Sequence, residues 1–156
     1  VTPDDLLEQF RIFTNQTLKD MIMPIKTPPG SDSAYRAPRV FKMDLPNVKA
    51  DRDKAPYIVL QFLNGRDLQE TDGKPESTCN IRVVACVYSE DEGEGKLRVL
   101  NMLTRLRIAL LEGRILARRY KLILPLEYMI YPDNPAPFYF GEMMTAWEIP
   151  TIERKV

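Results

Sequence analysis

Histidine is absent from the 156 residues. That gap removes the commonest general base, every Ser-His or Cys-His pair, and most zinc or iron sites. Serine occurs only at 31, 33, 77 and 89, in loop or turn contexts, and none sits in a nucleophile-elbow pattern. There is no Gly-x-x-x-x-Gly-Lys phosphate loop, and no Gly-x-Gly-x-x-Gly follows a strand. Net charge is also missing: Lys+Arg and Asp+Glu are 22 each, which argues against a nucleic-acid or membrane binder that works through its overall field. Apolar runs such as Tyr57–Leu63 are far too short to span a bilayer. The N-terminus places Asp4 and Asp5 where a signal peptide would carry basic residues, so no address outside the cytoplasm is expected. Cys79 and Cys86 are the only cysteines; seven apart in one strand, they point to opposite faces and cannot pair within it. The expectation is two buried thiols in a reducing compartment.

Carboxylates are the catalytic material that remains. Glu127, Glu142 and Glu148 fall on the two C-terminal strands, where a glutamate is far more often a solvated face residue. Glu90, Asp91, Glu92 and Glu94 carry the oxygen ligands a hard cation prefers. Their acid-Gly-acid order lacks EF-hand spacing, and a plain solvated turn is the simpler reading. The sequence therefore points away from an enzyme, and to no cofactor and no metal.

The length suits one domain, 1–156, since single cores commonly occupy about 100–200 residues. Such a chain buries roughly 68–70% of its unfolded surface and needs no disulfide or metal to hold a core. Thr2-Pro3-Asp4-Asp5 is a helix start: hydroxyl cap, proline at the first position, acids in the first turn. Leu6, Leu7, Phe10, Phe13, Thr17, Leu18 and Met21 continue it at helical spacing, predicting a helix over about 3–22 ended by Pro24. Residues 27–38 hold Pro28, Pro29, Gly30 and two serines without periodicity and read as a loop. Arg39–Leu45 suggests a short strand stopped by Pro46, and Asp51–Pro56 a charged turn. Tyr57–Leu63 reads as a strand buried on both faces. Asn64-Gly65, Asp72-Gly73 and Pro75 mark 64–78 as a long flexible loop.

Asn80–Tyr88 alternates, with Ile81, Val83, Ala85 and Val87 on one face and Arg82, Val84, Cys86 and Tyr88 on the other. After the acidic turn, Val99, Met102, Leu103, Leu106 and Leu110 stripe a helix over about 96–112, with Gly113 as its left-handed terminator. Tyr120–Tyr131 is a strand with a break or bulge at Pro125, residues 132–137 a loop, and Tyr139–Ile149 the last strand, in which Met143, Thr145, Trp147 and Ile149 share a face. Trp147, Tyr57, Tyr139 and Phe140 are expected in the core, with Met102, Met143 and Met144 as packing. Residues 151–156 are expected to fray. The fold class is α+β: a largely antiparallel sheet of about four to five strands with two helices packed on it.

Charge is segregated along the chain although it sums to zero. From Lys96 to Lys121 the basic residues are Lys96, Arg98, Arg105, Arg107, Arg114, Arg118, Arg119 and Lys121, against the single acid Glu112; the four acids of the turn lie just upstream. Three readings fit. One is an ordinary solvated helix face with an acidic cap. A second is a head-to-tail interface, in which the acidic turn of one subunit meets the basic segment of its neighbour and the contact closes into a ring. The third is a nucleic-acid surface, which the neutral total and the lack of stacking aromatics disfavour. Six of the eight basic residues are arginine, the cation preferred in buried ion pairs, and this tilts the balance toward the interface.

The C-terminal part carries a family likeness. Pro56-Tyr57-Ile58-Val59, Thr78–Tyr88, the run Leu97–Arg107, Leu124-Pro125-Leu126-Glu127-Tyr128, Pro135–Met143 and the closing Thr145-Ala146-Trp147-Glu148-Ile149-Pro150 together resemble small prophage proteins of Gram-positive bacteria, encoded among head–tail and tail genes. These are the tail-terminator or tail-completion proteins of tailed bacteriophages. The resemblance covers about residues 56–152. It implies a homo-oligomer, usually a hexameric ring, on the end of the tail tube, built in the host cytoplasm and carried in the virion at the tail–head junction. Its partners would be the tail-tube protein and the head–tail connector protein, with DNA only in transit through the lumen and no membrane. The alternatives are a connector or tail-assembly adaptor that forms no ring of its own, and a metal-dependent carboxylate enzyme.

Overall fold

Thr2 opens the first helix as its sequence requires. Its hydroxyl accepts from the Asp5 amide at 3.1 Å, and α1 runs Pro3–Leu18. The computed structural model describes residues 2–45 and 54–152. Helix α1 ends about a turn before the expected boundary. A proline disfavours helical backbone at the residue before it, and the chain instead turns at Lys19–Asp20 so that Met23 enters the core. Met23–Ile25 (β1) then pairs antiparallel with Ala34–Arg36 (β2), so the loop expected over 27–38 is in part a two-stranded ribbon.

Seven further stretches complete the fold of the described residues. Arg39–Lys42 (β3) is the short expected strand, parallel to Tyr57–Leu68 (β4). Glu76–Tyr88 (β5) leads to Glu92–Gly113 (α2), then Ile115–Leu116 (β6), Tyr120–Ile130 (β7) and Phe138–Ile149 (β8). One six-stranded sheet results, ordered β3-β4-β5-β8-β7-β6, antiparallel everywhere except β3–β4. The α+β class holds; the sheet is wider than expected because β6, two residues long, is too short to show a period. The charged turn and the proline stop expected at 46–53, and the frayed end at 153–156, lie outside the described residues.

The long loop expected at 64–78 is mostly strand. A bulge between Phe62 and Asn64 absorbs the irregular residue, after which Asn64–Leu68 pairs with Asn80–Glu76, leaving 69–75 as the turn. Asn80 donates to Asn64 Oδ1 at 2.7 Å and Ser77 to Asp67 at 2.5 Å, which fixes this extension laterally. The acidic turn is likewise shorter than expected. Asp91 caps α2, and Glu92 and Glu94 already lie in its first turn, where the helix dipole favours acids. At the other end Gly113 is the last helical residue, and Arg114 takes the left-handed conformation (φ 59°), donating its amide to Leu110 at 2.8 Å. The expected bulge at Pro125 is present as a register shift between Ile123 and Glu127.

Alternation sorts the strands into two faces. Ile81, Val83, Ala85 and Val87 join Met143 and Trp147 in the main core under both helices, with the α2 stripe at Val99, Met102, Leu103, Leu106 and Leu110. Tyr57, Val59, Cys86 and Phe138 form a smaller cluster on the opposite face, so Cys79 and Cys86 do lie on opposite sides. Burial pushes the Cys79 thiol up to about 11. Trp147 is fully buried, meets Phe10 edge-on at 5.3 Å, and donates its indole N–H to Thr145 Oγ1 at 2.9 Å; Thr145 in turn donates to the Ile81 carbonyl. Met144 departs from expectation: it shares the outer face with Glu142 and stays exposed. In α1 the buried hydroxyl is Thr14, while Thr17 is half-buried and bonds back to Phe13.

Two contacts set how the helices sit. Gly95 lies under the ring of Tyr139, where an added Cβ would be 2.3 Å from Cδ2. Glu8 holds α1 to β3, accepting from Arg11 Nε at 2.9 Å and meeting Lys42 Nζ at 2.8 Å. The Arg11 bond, followed by that of Lys42, lowers the Glu8 carboxyl to about 2. Gly95→Ala should gain at most about 1 kcal/mol of helix propensity and lose about 1–3 kcal/mol to overpacking against a rigid ring. A lower urea midpoint is the expected net result. Because folding lowers the Glu8 pKa, its ionised form stabilises the fold above its ordinary 4.5, and that contribution is lost as the pH falls toward about 2. Glu8→Gln should flatten the acid limb of stability across that window, as read by denaturant titrations at several pH values.

Candidate functional site

Glu90, Asp91, Glu94 and Arg98 line one open cavity together with Tyr35 and Tyr88. Among the described residues, no three His, Cys, Asp or Glu side chains are grouped as a metal site, and no helix is long and apolar enough to cross a membrane. What the fold does organise is charge. Helix α2, 22 residues and so about 33 Å long at 1.5 Å per residue, has Glu92 and Glu94 in its first turn, Lys96, Arg98, Arg105 and Arg107 along its length, and Glu112 followed by the cap Arg114 at its end.

At the acidic end, Glu90 accepts from the Tyr88 hydroxyl and Asp91 Oδ1 accepts the Glu94 amide at 3.0 Å. Glu92 pairs with Lys96 at 3.5 Å and Glu94 with Arg98, both one turn on. Lys96 also donates to the Pro132 carbonyl at 3.1 Å, joining this end to the 132–137 loop. Exposed i,i+4 pairs of this kind are worth only about 0.3–0.5 kcal/mol, so a stronger partner could recruit the same carboxylates at little cost.

The basic residues take several different places. Arg105 is exposed beside Met21, Asn101, Thr104 and Ile108 in a shallow depression on the solvent side of α2. Arg107 lies 5.2 Å from the centre of the Tyr128 ring, within range of a cation–π contact. Arg114 caps the helix and donates Nε to the Leu111 carbonyl at 3.3 Å. Ala117 and Arg118 are successive left-handed residues (φ 50° and 59°) that make the tight β6–β7 turn, leaving Arg118 exposed at its tip. Arg119 reaches across to Asp5 Oδ2 at 2.7 Å, and the Tyr120 hydroxyl donates to the same oxygen. The Tyr120 bond, then that of Arg119, draws the Asp5 carboxyl below its usual range, while burial and the carboxylate raise the Tyr120 phenol.

Within one chain the four acids of the turn lie at one end of α2 and Arg114, Arg118 and Arg119 lie beyond the other, whereas Lys96, Arg98, Arg105 and Arg107 are spread along the helix. The three strand carboxylates take two different places. Glu148 faces solvent opposite Lys121; Glu142 lies 4.0 Å from Arg82; Glu127 and Glu142 share an open depression with Tyr128, Met129 and Met144. Sequence reasoning missed the Asp5–Arg119–Tyr120 link, since 114 residues separate its ends and no local pattern marks it.

No family model matches the chain, and no curated protein does. Among solved structures, a chain from the virion of a native gene transfer agent particle is similar over 70% of this chain and 77% of its own, with a TM-score of 0.39 and 11% identity.

Asp5→Asn removes the negative charge, and one of the two acceptor oxygens, by which Asp5 ties the start of α1 to the β6–β7 turn. A lower melting temperature is expected, with Tyr120→Phe giving part of the same loss. A double variant no worse than Asp5→Asn alone would show the two acting as one contact.

Proposed function

We propose that this chain is a non-enzymatic virion-assembly subunit of the tail-terminator kind. Copies associate head to tail into a ring, hexameric by the family likeness, that ends growth of the tail tube and offers a surface to the head connector. DNA passes through the lumen without being recognised by sequence. The observation that carries this reading is the placement of Glu90, Asp91, Glu92 and Glu94 at one end of α2 and Arg114, Arg118 and Arg119 beyond the other. Opposite charges at opposite ends of one rigid element allow the acidic end of one copy to meet the basic end of the next, and a heterologous contact of that kind closes into a ring where the rotation permits. The resemblance across about residues 56–152 supplies the tail-tube and connector partners. A histidine-free chain with scattered carboxylates suits a role in which geometry and not chemistry is the output.

Light scattering on the purified chain at low and high salt tests the reading. A species near six times 18.0 kDa that shrinks as salt screens its contacts is the expected result. A monomer at every concentration and salt would remove the preformed ring and favour the adaptor that joins a ring made by other proteins.

A further inference from the structure

The sheet leaves both of its edges partly open. On one side β3 covers only Tyr57–Leu60 of β4, so among the described residues Leu63–Leu68 has no strand beside it. On the other side β6 covers only Tyr120–Lys121 of β7, and the stretch from Leu124 to Ile130 is open. Open edges normally carry polar or charged side chains that discourage pairing. These carry Asn64, Arg66 and Asp67 on one side and Glu127 on the other, but also the exposed apolar side chains Leu63, Leu68, Leu124, Tyr128 and Met129.

Charge distinguishes the two edges further. From Leu63 to Glu76, the open run of β4 and its turn, the chain holds Asp67, Glu70, Asp72 and Glu76 against Arg66 and Lys74. From Arg114 to Ile130 it holds Arg114, Arg118, Arg119 and Lys121 against Glu127 alone. The hairpin end beside the β4 edge is acidic, and the β6–β7 turn above the open run of β7 is basic. Strand direction agrees as well. Successive antiparallel steps from β4 through β5 and β8 to β7 make β4 antiparallel to β7. A neighbour brought alongside by a rotation that preserves strand direction would therefore offer β7 to β4 in the antiparallel sense.

We propose that copies of this chain join edge to edge, the open β4 edge and acidic hairpin end of one pairing antiparallel with the open β7 edge and basic β6–β7 turn of the next. The interface rests on the oligomeric reading above and adds a contact along the sheet edges to the one at the ends of α2. The covering strands lie at opposite ends of the sheet, since Tyr57 is level with Cys86 and Phe140 whereas Lys121 is level with Glu148. Open stretch meets open stretch only if each copy is displaced along the strand direction relative to the last. Such a stagger is what a sheet needs in order to tilt and close on itself. Pro125 has no N–H to donate, so pairing would use Leu126–Ile130 on the β7 side.

Two charge-reversed variants test this: Glu70→Lys with Asp72→Lys on the hairpin turn, and Arg118→Glu with Lys121→Glu on the other edge. Each alone should weaken self-association about tenfold or more, and an equimolar mixture should restore it, because each reversed edge then meets its complement. In the wild-type oligomer, amide hydrogen exchange at 63–68 and 126–130 should slow relative to the monomer. An oligomer that withstands both variants and shows unchanged exchange at these edges would overturn the edge contact and leave the ring standing. A chain monomeric under every condition would overturn both.

Discussion

The β5–β8 ladder is the constraint on which the rest of the molecule depends. Twelve consecutive antiparallel pairs, from Ser77 opposite Ile149 to Tyr88 opposite Phe138, run without a register shift. A one-residue slip would send Val83, Ala85, Met143 and Trp147 to the other face at once, so burial on the helix side locks the register. The Thr145 hydroxyl, donating to the Ile81 carbonyl and accepting from the Trp147 indole, satisfies the polar atoms that this packing takes out of water. Close seating of α2 follows from the same ladder. Gly95 fits beneath Tyr139, and Gly141 leaves room for Val99, because both β8 positions present their faces to the helix at fixed height.

What was legible in the sequence was whatever repeats. The α2 stripe, the two faces of β5 and the shared face of Met143, Thr145 and Trp147 were readable because burial imposes a period of 3.6 or 2 on residue type. The Thr2 cap and the Pro125 bulge were readable because their chemistry is local. Turn signals misled where a neighbour overruled them. Asn64-Gly65 favours a turn, yet β5 and its partner β8 supply a long template, and one bulge brings the dipeptide into register. Gly113 lost the left-handed position to Arg114 because the helix continued one residue further than its apolar stripe required. Thr17 and Met144 were misread: Thr14, not Thr17, takes the core position of α1, and Met144 is exposed on the outer face of β8.

The charged residues were legible as a list and illegible as a surface. Composition showed acids followed by arginines; it could not show that a helix about 33 Å long would set Arg114 and Arg118 beyond the end away from the acids, or that Asp5 would claim Arg119. Nor did it reveal the acidic hairpin, because that segment read as a loop. These differences matter energetically. An exposed pair such as Glu92–Lys96 contributes at most a few tenths of a kcal/mol, whereas Asp5 holds two donors on a partly shielded oxygen and is already committed to the monomer. Arg114 and Arg118, bonded only to local backbone or to solvent, are the cations that a partner would find least engaged.

Edges decide how such a sheet behaves beyond one chain. A protein selected to remain alone covers its edge strands over their whole length or studs them with charge. Among the described residues the covers are partial and sit at opposite ends, and the runs beyond them carry leucine, tyrosine and methionine beside Arg66, Asp67 and Glu127. Placed diagonally, they forbid in-line pairing and require a shift at every junction. Repeated with a constant rotation, that shift either closes after a few copies or winds into an open helix. The twist of the β5–β8 ladder sets the rotation and the two short strands set the shift, so subunit number on this reading is a property of the sheet rather than of any single interface residue.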